Sequence, residues 1–171
     1  WNRVNPEAVT FAKQHAGELI TGISDVTRDG IRAAVVDALE LGWHPEKTAR
    51  LIRASIGLTA RQATAVMRFA GKLAEGDENL SDDKLFARVD RYADAQVRMR
   101  ALTIARTELA TAASQGQQRL WDIAVEDGVL DPERMEKVWL ATYDELLEET
   151  CEGLANEQVG IDEPFSNGMQ Q

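Results

Sequence analysis

The 171 residues are 44% hydrophobic and 28% charged, enough apolar material for a core and enough charge for solubility. No apolar run approaches the roughly 20 residues a membrane span needs, and a single Cys excludes an internal disulfide framework and fits a reducing compartment. The net charge of −10 is uneven: residues 1–76 carry ten Lys/Arg against eight Asp/Glu, residues 77–171 nine against twenty-one. Binding to duplex DNA draws on cations at phosphates, so the acidic half is a poor match for it and suits a basic protein surface better.

The chain opens at Trp1 with neither Met nor a secretory signal, and is expected to be a fragment. Asn5 is placed to cap a helix with Pro6 at its first position, and Val4 and Val9 are spaced for a hydrophobic staple. Val9, Ala12, Ala16, Leu19 and Ile23 recur at helical spacing. Gly22 weakens this stripe, Ser24 or Asp25 can recap, and Ile31, Val35 and Leu39 carry the pattern to Leu41 and a stop at Gly42. One kinked helix and two tandem helices both satisfy this pattern. His44-Pro45-Glu46 opens a short helix with Ala49, Ile52 and Ile56 on one face, closed by Gly57. Thr59 and Gln62 have capping-box spacing, and Ala63, Met67, Ala70 and Leu73/Ala74 form the expected stripe of the next helix.

The polar stretch 75–79 is the best linker in the chain. Ser81 then caps the most helical region, with Asp82 and Asp83 at the positive helix end and Leu80 poised to staple to Leu85. Leu85, Val89, Tyr92/Ala93 and Val97 share one face. Leu102, Ala105, Leu109, Ala112/Ala113, Gly116, Leu120 and Ile123 share another, so a break near residue 100 is compatible with a helix to about Glu126. Asp131-Pro132-Glu133 has helix-opening chemistry. Residues 137–143 are strand-prone, residues 144–154 read as a short helix or turn, and residues 157–162 as a second, antiparallel strand. The expected fold is mainly α: an N-terminal helical arm or subdomain over 1–75, a linker at 76–80, and over 81–171 a long-helix core with a small C-terminal antiparallel β-hairpin.

The run Arg100-Ala101-Leu102-Thr103-Ile104-Ala105-Arg106-Thr107-Glu108, followed by small residues and Gly116, resembles the signature helix of the Mu F-like head-morphogenesis domain of tailed-phage minor head proteins. Further matches follow in order: Trp121, then Val138, Trp139, Ala141, Thr142 and Asp144, then Cys151 and Leu154, and a closing Asp162-Glu163-Pro164-Phe165. Upstream, Asn5–Ala8, Gly22–Ser24 and Gly57–Ala63 resemble the helical region that precedes this domain. The chain departs from the family where a second Cys often follows the first by three residues, since Leu154 stands there. The ligand set of a metal-binding tail is incomplete, and the domain is expected to be truncated at its C-terminus.

The resemblance implies a non-enzymatic minor capsid protein, carried in the head or at the portal vertex of the virion after assembly in the bacterial cytoplasm. Its implied partners are portal and capsid subunits, with duplex DNA binding weak or indirect and no membrane; self-association is left open. Two other readings are a DNA-associated ejection protein and the helical module of a larger toxin or enzyme fusion. The motif residues expected to matter structurally are Arg100, Ile104, Arg106, Thr107, Glu108, Gly116, Trp121, Trp139, Asp144 and Cys151. Residues 106 and 108 point away from each other on a helix and need different partners. Asp144 is the candidate partner of Arg106 in a polar network.

No catalytic, cofactor or metal site is expected. Cys151 is surrounded by Glu148, Glu149 and Glu152, which disfavour a thiolate, and His15 and His44 are remote in sequence, short of the ligands zinc needs. The same glutamates fall at helical spacing with Glu145, the pattern of a solvated acidic face rather than a hard-cation site. Phosphate-loop, nucleophile-elbow and His-Glu-x-x-His motifs are missing from the sequence. Arg88, Arg91, Arg98, Arg100 and Arg106 are interrupted by Asp90, Asp94 and Glu108, which favours ion pairing along a helix over a DNA-lining strip. Trp121 and Trp139 are expected in cores, Trp43 under a helix–helix turn, and Trp1 at a contact with a missing part or a partner.

Overall fold

A computed structural model describes residues 4–76, 81–141, 149–161 and 163–168, with the backbone only at 150 and 151. The chain is mainly α-helical, with a very long helix and a two-stranded antiparallel sheet near the C-terminus. It divides into two compact units, residues 1–117 and 118–171. The first takes in the N-terminal helices together with most of the long helix; the expected linker at 76–80 falls largely outside the described residues.

In the first unit α1 spans Pro6–His15 and α2 Asp25–Leu41, two helices in tandem. The Asn5 side chain accepts from the N–H groups of Glu7 and Ala8, and Ser24 caps α2 through the Thr27 N–H. The separation comes earlier than Gly22: Gly17 adopts φ +85°, reverses the chain, and leaves Leu19 92% exposed, off the expected stripe. Gly42 ends α2 in the left-handed conformation, as its position suggests. α3 is Pro45–Arg53, three residues shorter than a stop at Gly57 would give. α4 is Ala60–Gly76, opened by the reciprocal box in which the Thr59 N–H donates to Gln62 Oε1 at 3.0 Å and the Gln62 N–H donates to Thr59 Oγ1 at 3.2 Å.

The buried face of α4 matches the expected one at Ala70 and Leu73 but not at Ala63 and Met67. Val66 is buried and Phe69, Ala70 and Leu73 half-buried, whereas Ala63 is exposed and Met67 is 72% exposed. Apolar residues at 63, 66, 67, 69, 70 and 73 allow two neighbouring stripes. The choice follows Phe69, which stacks on Tyr92 at 4.5 Å, and Gln62, which donates to the Gln96 carbonyl. Both partners lie on α5, Asp82–Glu126, which runs 45 residues without a break at 100. Its buried residues are Ala101, Ile104, Ala105, Ala112 and Gly116; Ala113, expected among them, is exposed. Ala12, Ile31, Val35, Ala49, Ile52, Ile56, Ala101, Ile104, Ala105 and Ala112 belong to one cluster, the core of this unit. Almost complete burial of Ile31, Val35 and Ile52 contributes about 1.5–3 kcal/mol each before chain entropy is counted.

In the second unit the last turns of α5 stop at Gly128, φ +70°. Asp131-Pro132-Glu133 opens only a 3-10 turn, Pro132–Arg134. β1 is Glu136–Val138 and β2 Gln158–Gly160, antiparallel with Lys137 opposite Val159. Both strands are shorter than expected. Pairing continues one step past β1: the Trp139 N–H donates to the Glu157 carbonyl and the Asn156 N–H to the Trp139 carbonyl. α6, Glu149–Gly153, falls within the segment read as a short helix or turn. Leu154, Ile161 and Phe165 are buried, and Phe165 meets Trp139 edge-on at 5.1 Å. Trp1, Leu80, Tyr143, residues 144–148 and Asp162 lie outside the described residues, so the Leu80 staple and the ends of the predicted strands do too.

Candidate functional site

The signature run of α5 is where the first unit is tied together. Arg100, Ile104 and Glu108 recur at four-residue spacing along one side of α5, and Gly116, two turns beyond Glu108, lies against α1. Ile104 is buried in the core. Arg100 extends over two loops at once: Nη1 donates to the Gly57 carbonyl at 2.7 Å and Nη2 to the Thr21 carbonyl at 2.8 Å. A planar guanidinium has donors enough, in fixed directions, to hold two separate backbone acceptors. Glu108 accepts from the Gly17 N–H at 2.9 Å, a charge-assisted bond to a buried backbone donor.

The loop between α1 and α2 is held from its other side by Arg28. Its Nη1 donates to the carbonyls of Gly17, Glu18 at 3.1 Å and Ile20 at 3.3 Å. The left-handed turn at Gly17 directs these carbonyls away from any helical partner, and one cation gathers them. Periodicity gave no reason to single out Arg28; its signal is a basic residue one turn into a helix that follows a Gly-broken loop. Gly116 completes the arrangement. A Cβ there would lie 2.5 Å from Ala8 Cα and 2.6 Å from Ala8 Cβ, so α1 can pack this closely only against a glycine.

Other motif residues stand apart from this clasp. Arg106 and Thr107 are exposed, and Arg106 has no hydrogen bond or ion pair among the described residues. Its proposed partner Asp144 and the Cys151 side chain are outside the described residues. Trp121 is 36% exposed, a correction to the core placement expected for it. Trp139 is half-buried against Phe165, over which Lys137 also lies. Trp43 is half-buried with the Lys47 ammonium 3.7 Å from its ring centre.

Ion pairing accounts for only part of the arginine series on α5. Arg98 pairs with Asp94 at 3.6 Å, Asp94 pairs with Arg53 at 2.8 Å, and Arg91 donates to its own helix at the Ala87 carbonyl. Among the described residues no three His, Cys, Asp or Glu side chains gather as a metal site would require, and no helix is long and apolar enough to cross a membrane. Comparison with protein-family models, with curated proteins and with solved structures returns no match.

Proposed function

We propose that the chain is a non-enzymatic minor head protein of the Mu F-like kind, working in head morphogenesis by binding portal or capsid subunits and travelling in the virion. The support is the ordered motif series, and above all its central run. Arg100, Glu108 and Gly116 hold two loops and a helix against α5, which gives the run a reason to be kept in a protein that acts by shape. The mechanism is association. The outward side of α5, with Thr103, Arg106, Thr107 and Ala110 exposed, is the surface offered to a partner subunit, and no bond is made or broken. Duplex DNA is at most a weak ligand, since the net charge of −10 opposes it.

The test is co-expression of the chain with the portal protein, and separately with the major capsid protein, of the phage that encodes it. Co-purification with either, lost when Arg106 and Thr107 are replaced by Glu, is the expected outcome. Failure to retain both subunits removes the head-protein reading.

A further inference from the structure

Away from the clasp, α3 and α5 enclose an open groove of about 260 Å³ in the first unit. Its apolar part is Ala49, Ala101 and Leu102; its polar part is Arg50, Arg53 and Arg98, with Glu46. Asp94 is shared by Arg53 and Arg98. Arg50 has no ion pair or hydrogen bond among the described residues, and Glu46, one turn earlier, does not pair with it. Three guanidinium groups therefore face two carboxylates, and the exposed fork of Arg50 has no protein partner among the described residues beside an apolar surface. Such a groove fits a carboxylate flanked by an aliphatic side chain.

The second unit carries that chemistry on its surface. After α5, the N–H groups of Val129 and Leu130 both donate to the Ala124 carbonyl, and this tight turn leaves Val129 75% exposed. Four acidic residues flank Val129 in the sequence, Glu126, Asp127, Asp131 and Glu133. Glu126 is occupied by Arg119, and Asp131 accepts from the Glu133 N–H. The carboxylates of Asp127 and Glu133 have no partner among the described residues.

We propose that the Arg50 groove of one copy receives the 127–133 turn of a second copy, Val129 lying on Ala49, Ala101 and Leu102 while Asp127 or Glu133 pairs with Arg50. The groove and the turn are different surfaces, so every copy offers one of each to its neighbours. The inference stands on the groove and the turn alone and does not rest on the head-protein reading.

Sedimentation velocity of the full chain over a concentration series, at low and high salt, reads it directly. The wild type is expected to associate with rising concentration, and less so at high salt. Arg50→Glu and the double variant Asp127→Arg/Glu133→Arg are each expected to weaken association about tenfold or more. Mixing the two variants restores it, because each reversed surface meets its complement on the other chain. All three substitutions sit at exposed side chains without partners, so unchanged melting curves serve as the folding control. A wild type that stays monomeric throughout the series overturns the proposal. So does association that salt and charge reversal leave unchanged, or variants whose mixture recovers nothing.

Discussion

Thr48 is fully buried in α3 and its hydroxyl has no hydrogen-bond partner. A buried hydroxyl without a partner keeps its desolvation cost, so Thr48→Val, nearly the same shape, is expected to stabilise the fold by about 1 kcal/mol, read as a higher urea midpoint at unchanged slope. Glu108 is the opposite case, because its carboxylate satisfies the buried Gly17 N–H. Glu108→Gln keeps an acceptor and loses only the charge, while Glu108→Ala leaves the donor without a partner. Expected losses are about 1 kcal/mol for Gln and about 2–3 kcal/mol for Ala; equal losses in the same urea titrations would show that the bond contributes nothing beyond packing. That Glu108 and Arg106 do not face each other was legible from their spacing. The identity of the Glu108 partner was not, because a backbone N–H 91 residues away leaves no trace in side-chain pattern.

At the scale of elements, caps were easier to read than faces. Asn5, Ser24, Gly42 and the Thr59–Gln62 box act through neighbours two to four residues away, so local sequence contains the whole interaction. The buried face of α4 depends on which neighbour it meets, and Met67 and Val66 are equally apolar until Phe69 finds Tyr92. Gly17 was passed over in favour of Gly22 because either glycine can interrupt a helix; the structure uses Gly17 because Glu108 and Arg28 wait for its N–H and carbonyl. The short strands have a similar explanation. Val138 and Trp139 have strand propensity, but a two-stranded sheet pairs only where its partner strand reaches. Gly116 was legible as a small residue admitting a close neighbour, though not that the neighbour is the backbone of α1 at Ala8. Gly116→Ala is expected to push α1 off α5 at a cost of about 3 kcal/mol. Hydrogen exchange would then show the amides of Ala8–Ala12 losing protection first, and uniform loss across the unit would mean that the contact is not local.

For the whole molecule, the division at residue 117 cuts through α5 and not through a loop. Every residue of the hydrophobic core cluster, from Ala12 to Ala112, lies before it, as do Arg28, Arg100, Glu108 and Gly116. A chain ending at Gln117 therefore retains this core cluster and these four side-chain and glycine contacts. It is expected to unfold cooperatively in urea, with a midpoint close to that of the matching transition in the full chain. Charge changes more than stability does. Residues 1–117 hold sixteen Lys/Arg against fifteen Asp/Glu and residues 118–171 three against fourteen, so the negative balance resides entirely in residues 118–171. The shortened chain is nearly neutral and should precipitate more readily than the full chain. A shallow, non-cooperative urea transition of the shortened chain, with native-like far-ultraviolet circular dichroism, would mean that the helices form but the core does not close. In that case residues 118–171 contribute to folding the first unit as well as to its charge.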